Sequence, residues 1–145
     1  MSESRQPDIE VYVETPVTRI VAWLTQHFAW SVPLTPARRG GMAIYRGTLY
    51  RGTLGGHRDT LRAQANAVDI PVLIVAETSD GYTSVLFDSP DAPWADDLAC
   101  AKEFATALDC DVRCVDGTWQ PDQPDDEGWL QVSRTGARAI RWKPA

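Results

Sequence analysis

The stretch from Tyr82 to Cys114 constrains the fold most, because it reads as one continuous unit. Tyr82 to Asp88 has the composition of a strand, and Ser89-Pro90-Asp91-Ala92-Pro93-Trp94 is a Pro- and Asp-rich loop. A helix with an acidic start (Asp96, Asp97) follows from about Pro93 to Leu108, and Asp111 to Val115 returns as a strand. Strand, helix and strand in this order belong to an α+β sandwich. The unit does not name a chemistry.

A chain of 145 residues fits one domain. At this size folding buries roughly 70% of the unfolded surface, so one core suffices without staples. The polar Met1 to Pro7 is expected to fray. No apolar run reaches membrane-spanning length, and no basic segment precedes an apolar one at the start. The expectation is a cytoplasmic protein, bacterial in style, with no membrane partner. Three cysteines (Cys100, Cys110, Cys114) are too few and odd in number for a disulfide framework. If Asp111 to Cys114 is extended, Cys110 and Cys114 lie about 13 Å apart at about 3.3 Å per residue. A bridge requires less than roughly 7 Å.

The net charge of -6 is unevenly spread. Residues 36 to 62 carry six arginines against Asp59 alone, and residues 91 to 127 carry eleven acids against Lys102 and Arg113. Overall acidity argues against a nucleic-acid partner, which requires net neutralisation of phosphates. Segregation of charge suits a local anion site or a charge-complementary protein.

Ile9, Val11 and Val13 alternate with Glu10, Tyr12 and Glu14, the pattern of a strand with one wet face. Thr15-Pro16 should start a helix, with Thr15 as cap and Pro16 at the first position. Val17, Ile20, Val21, Leu24 and Phe28 form its apolar stripe, with Trp23 and His27 beside it, and it ends before Pro33. Pro36 to Gly41 reads as a loop. Met42 to Leu54 reads as extended and contains a duplication, Tyr45-Arg-Gly-Thr-Leu49 and Tyr50-Arg-Gly-Thr-Leu54. An odd period of five turns the copies to opposite faces unless Gly47 or Gly52 makes a bulge. Arg58 to Val68 suits a helix and a strand equally. Pro71 to Glu77 is a central strand, Asp80-Gly81 a hairpin turn, and Thr83 to Asp88 the partner strand. In the helix that follows, Trp94, Leu98, Ala101, Ala105 and Leu108 make the buried stripe. Val115 to Glu127 is an acidic loop. Trp129 to Val132 and Ala137 to Trp142 form a last hairpin around Thr135-Gly136, with Leu130, Val132, Ile140 and Trp142 facing the core.

The resulting order is β-α-β-(x)-β-β-α-β-β-β. It predicts a mainly antiparallel sheet with two helices packed on one face, and it resembles a decorated ferredoxin-like pattern. That pattern hosts many functions and selects none.

Known chemical signatures are weakly represented. The two histidines, His27 and His57, fall in no metal-binding spacing, and Cys110 and Cys114 supply at most two ligands, so no metal and no cofactor are expected. There is no nucleophile elbow. Gly47 to Thr53 imitates a phosphate-loop spacing but lacks its lysine and lies in a β-like stretch. Cys100 sits mid-helix, where a thiol is ordinarily a small core hydrophobe. Asp88, Asp91, Asp96 and Asp97 crowd one strand-to-helix junction. Such crowding raises a carboxyl pKa in some sites and is plain helix capping in many others.

Two surfaces follow. Arg46, Arg51 and Arg58 can hold an anion, and with Asp88 or Asp91 as base and His57 as acid they outline a small enzyme. The acids and tryptophans Asp91, Trp94, Asp96, Asp97, Trp119, Asp122, Asp125, Asp126 and Glu127 outline a face for a basic protein partner. The sequence favours the second: a non-enzymatic protein-binding module, of which an immunity-type inhibitor of a toxin is one form. A third reading is a homo-oligomer in which the Arg-rich segment of one copy meets the acidic segment of another.

Overall fold

The computed structural model describes residues 8–39, 42–51, 68–89, 92–116, 124 and 126–143. Its elements in chain order are β1 (Ile9–Val13), α1 (Val17–His27), β2 (Ala29–Arg39), β3 (Met42–Arg51), β4 (Val68–Ser79), β5 (Tyr82–Phe87), α2 (Asp97–Leu108), β6 (Val112–Val115), β7 (Trp129–Ser133) and β8 (Gly136–Ile140). The strands form one eight-stranded sheet in the order β2-β3-β4-β5-β1-β6-β7-β8. Every neighbouring pair is antiparallel. The fold is therefore α+β, with a larger sheet than the sequence suggests. Because β1 pairs antiparallel with both β5 and β6, the β5–α2–β6 unit connects two co-directional strands with β1 between them.

Alternation along each strand assigns the faces. On one face Gly47, Val72, Phe87 and Ile9 form a transverse row, and Tyr45, Ile74, Val85 and Val11 form the next. Ile20, Trp23 and Leu24 of α1 and Cys100, Ala101, Phe104, Ala105 and Leu108 of α2 close this face into one core. Trp23 and Phe104 join the helices, with ring centroids 4.9 Å apart. The opposite face carries a row from Ile44 through Val75, Ser84, Tyr12, Arg113 and Gln131 to Arg138. Neither helix lies on that side.

Several local expectations change. Pro36 to Gly41 is not a loop as far as it is described, because β2 runs through Pro33 and Pro36 to Arg39. Prolines are tolerated there because β2 is an edge strand, where a missing N–H interrupts no outer pairing. The registers between Trp30 and Val32 and between Val32 and Thr35 shift accordingly. Gly47 faces this irregularity: a Cβ there would lie 2.9 Å from the carbonyl oxygen of Val32. β3 itself is not bulged, since it pairs with β4 without a break from Ile44 to Arg51. Gly52 to Leu54, the helix-or-strand stretch up to Ala67, and Met1 to Pro7 lie outside the described residues.

Thr15 is not the cap of α1. The helix starts after Pro16 without a side-chain cap, and the Thr15 hydroxyl instead accepts a hydrogen bond from Arg19 Nη1 at 3.2 Å. Arg19 Nη2 donates to the carbonyl of Leu108 at 2.8 Å, satisfying an end of α2 from the start of α1. Likewise α2 starts at Asp97 rather than near Pro93, with Asp96 Oδ1 accepting from the Ala99 N–H at 2.9 Å. Trp94 thus precedes the helix rather than belonging to its stripe. The Asp80-Gly81 turn stands, with both residues at positive φ (52° and 81°) as a tight hairpin of this hand requires.

The largest correction concerns the final hairpin. Leu130 and Val132 do face the core, but they pair with Ala139 and Ala137. Ile140 pairs with Trp129, so it projects to the side opposite α1 and α2, and Trp142 packs there too. Pairing register sets this: one residue of offset exchanges the two faces of a strand.

Candidate functional site

The side of the sheet opposite α1 and α2 is organised around a cluster that no local pattern revealed. Tyr12, Tyr82, Trp129 and Trp142 come from β1, β5, β7 and the segment after β8. Trp142 lies 5.0 Å from Tyr12, 5.6 Å from Tyr82 and 4.9 Å from Trp129, ring centroid to centroid. The Arg113 guanidinium sits over the rings of Tyr82 and Trp142, at 4.5 and 4.8 Å, in cation–π geometry. Arg113 Nε donates to Gln131 Oε1 at 3.1 Å, and Gln131 Nε2 donates to Asp111 Oδ2 at 3.0 Å. The Trp142 indole N–H donates to Asp80 Oδ2 at 2.7 Å, and its main-chain N–H to the Asp126 carbonyl at 2.8 Å. Burial pushes the Tyr12 phenol up to about 12, with Glu10 adding to the shift, and burial raises Tyr82 as well. The sign available in the sequence was Tyr12 itself, an aromatic on the wet side of β1.

Trp129, a member of this cluster, also lines a depression. The depression measures about 370 Å³ and is lined by Asp116, Glu127, Gly128, Trp129, Ala139, Ile140 and Arg141. Its lining mixes Trp129, Ala139 and Ile140 with the carboxylates of Asp116 and Glu127 and the guanidinium of Arg141. Arg141 Nη2 donates to Glu127 Oε2 at 2.6 Å and Nη1 to Asp126 Oδ2 at 3.1 Å, so these acids already hold a guanidinium of their own chain. A second depression, about 390 Å³, lies further along the same hairpin, between Asp111, Gln131, Ser133, Thr135, Gly136, Ala137 and Arg138. Both border β8.

The other candidate residues are dispersed. Asp96 caps α2, and Asp97 is buried, with its Oδ1 accepting from the Glu10 N–H at 3.3 Å. Trp94 packs on Phe28, Phe87 and Phe104 and donates to Glu103 Oε1 at 2.6 Å. Asp91, Trp119, Asp122 and Asp125 lie outside the described residues. Among the acids of the expected partner face, Glu127 lines the depression around Trp129, and Asp126 is held by Arg141 beside it. Of the anion set, Arg46 shares a small depression of about 130 Å³ with Asp88, beside Pro71, Leu73 and Leu86. Arg51 ends β3 opposite Val68, while His57 and Arg58 lie outside the described residues.

Cys100, Cys110 and Cys114 are all free. Burial pushes the Cys114 thiol up to about 12 and Cys110 to about 11, and Cys100 is raised well above its ordinary value. Such thiols are neutral and poorly nucleophilic near pH 7. Among the described residues, no three His, Cys, Asp or Glu side chains converge to hold a metal ion. Among them too, no helix is long and apolar enough to cross a membrane. Comparison with protein-family models, with curated proteins and with solved structures returned no match to this chain.

Proposed function

We propose that this protein is a binding module that covers a basic partner protein, rather than an enzyme. The carrying observation is the depression whose lining brings Trp129 and Ile140 together with the carboxylates of Asp116 and Glu127. A lysine or arginine fits such a place twice over: its stem lies on the rings and its charge meets the carboxylates. Trp129 is braced by Tyr12 and Trp142, at 5.6 and 4.9 Å, so little ordering is needed when a partner arrives. Arg141 on Asp126 and Glu127 is the intramolecular precedent for that recognition. An inhibitor that neutralises a basic toxin in the cytoplasm is one form of this activity. As to fold, the kinship we propose with the ferredoxin-like pattern rests on the β5–α2–β6 unit.

The test is retention of proteins from the native lysate by the tagged chain and by its Asp116→Asn/Glu127→Gln variant, in dilute and in concentrated salt. Basic proteins retained by the parent, released by salt and lost by the variant are expected. Retention that is indifferent to both carboxylates, or none that depends on them, overturns the reading. The enzyme alternative rests on the Arg46–Asp88 depression and predicts turnover that Asp88→Asn abolishes.

A further inference from the structure

The side of the sheet opposite α1 and α2 carries a transverse row that is charged at both ends and apolar between. Pairing register sets Arg46 of β3, Leu73 of β4, Leu86 of β5 and Glu10 of β1 side by side. Arg46 is exposed and the two leucines are half-buried. Among the described residues neither Arg46 nor Glu10 belongs to an ion pair. Glu10 Oε2 accepts from Ser84 Oγ at 3.0 Å, and the Tyr12 hydroxyl donates to the same carboxylate. Both donors are neutral, so they orient Glu10 without offsetting its charge. Val32 pairs with Thr48 and Val115 with Trp129, which puts both on this side as well. They are the large hydrophobic residues most exposed among those described, at 51% and 41%.

The row is complementary to itself. A two-fold axis parallel to the strands, between β4 and β5, would lay two sheets face to face as in an aligned sandwich. That axis divides β2-β3-β4 from β5-β1-β6, so β3 of one copy faces β1 of the other and β2 faces β6. Arg46 of each copy then meets Glu10 of the other, across a row whose ends stand three strand spacings, about 14 Å, apart. Leu73 meets Leu86, at the depression of about 130 Å³ that Arg46, Pro71, Leu73, Leu86 and Asp88 line. The strand carrying Val32 covers the strand carrying Val115. Asp88 stands one side-chain row beyond Leu86, within reach of the same incoming guanidinium, whose fork of donors suits two carboxylates. An axis across the strands instead would set Arg46 against Arg46.

We infer that this face joins two copies of the chain into an isologous dimer, closed by reciprocal Arg46–Glu10 contacts around a Leu73–Leu86 centre. Charge and order together select a second copy. It presents a cation, two leucines and a carboxylate in the reverse sequence at the same spacing. Trp142 stands over Tyr12 from its own chain, so the contact centres on the rows through Arg46 and Thr48. β7 and β8 extend past the other copy's β2, and the depression around Trp129 stays open. The dimer and the basic-partner surface are therefore separate properties.

The test is sedimentation velocity of the whole chain from micromolar to near-millimolar concentration, with Arg46→Glu, Glu10→Lys and the two combined. A concentration-dependent dimer is expected for the parent. Each single reversal should weaken it about tenfold or more, because like charges then face each other at both ends of the contact. The double variant should recover most of the loss, since its row is complementary again with the signs exchanged. Within one copy the two positions are about 14 Å apart, beyond the screening length of roughly 8 Å at physiological salt, so recovery reports contact between copies. Should Glu10→Lys unfold by losing Ser84, Arg46→Glu and Leu73→Lys decide. Each must then be a folded monomer, by circular dichroism, at concentrations where the parent is dimeric. A parent that stays monomeric throughout overturns the inference. So does a dimer indifferent to Arg46→Glu, or a folded double variant that associates no better than either single one.

Discussion

Trp142 joins three separate strands to the hairpin that follows them. It contacts Tyr12, Tyr82 and Trp129, underlies Arg113 and donates to Asp80, and it is 7% exposed. Trp142→Ala should therefore cost about 3–5 kcal/mol, the range for removing a large buried aromatic, read from the urea midpoint of unfolding. Trp142→Phe, which keeps a ring but leaves Asp80 without its donor, should cost less than this. The same cluster implies a pH dependence. Tyr12 ionises at 10.0 in an unfolded chain and at about 12 in the folded one, because burial disfavours phenolate. Over that window the folded state binds more protons than the unfolded state, so stability is intact below pH 10 and falls as pH rises towards 12. Tyr82 is shifted in the same direction. Denaturant midpoints across that range should decline, and less so in Tyr12→Phe. The sequence displayed each of these aromatics but not their meeting, since they are separated by up to 130 positions, Tyr12 to Trp142.

At the level of elements, β2 illustrates how position in a sheet overrides local preference. Two prolines and an Arg-Gly stretch describe a loop by composition, yet an edge strand pairs on one side only and accepts both. The irregular pairing of β2 brings its main chain close to β3 at Gly47. Gly47→Ala should destabilise the protein by about 1–3 kcal/mol, the cost of overpacking against atoms that cannot rotate away, since the nearest are the Val32 carbonyl oxygen and the Leu34 backbone. A thermal melt of that variant checks it. The helices were far more legible. Of the expected stripes, Ile20 and Leu24 and then Ala101, Ala105 and Leu108 are buried as 3.6-residue periodicity requires, while Val17, Val21, Phe28 and Leu98 are only partly buried and Trp23, Cys100 and Phe104 complete the buried sides. The α2 start is displaced by about a turn because the Asp96 carboxylate caps the helix by accepting from the Ala99 N–H.

For the molecule as a whole, the sheet has a half covered by α1 and α2 and, among the described residues, a last strand, β8, that pairs on one side. β1 lies between β5 and β6, beneath the helices, and Val11, Val85 and Ile74 have no exposed surface. Their amides should exchange with solvent slowest, near the rate set by global unfolding, while Ala137 and Ala139 should exchange fastest among strand residues. Amide exchange followed by NMR gives this ordering directly. Slow exchange at β8 in the isolated, dilute chain would mean that the edge is already occupied. The proposed partner surface belongs to this scale, because it combines Asp116, just after β6, with Glu127, β7 and β8.

The sequence by itself determined the α+β class, the two helices, the Asp80-Gly81 hairpin and the buried sides of β1 and β5. Each of these is encoded within a few neighbouring residues, where alternation, helical spacing or turn chemistry operates. Tertiary structure alone decided which side of β7 and β8 meets the core. Both sides of that hairpin are apolar, Leu130 and Val132 on one and Trp129, Ile140 and Trp142 on the other, so alternation was satisfied either way. The pairing register of β7 with β6 and β8 broke the tie, and with it placed Trp129 beside the carboxylates of Asp116 and Glu127.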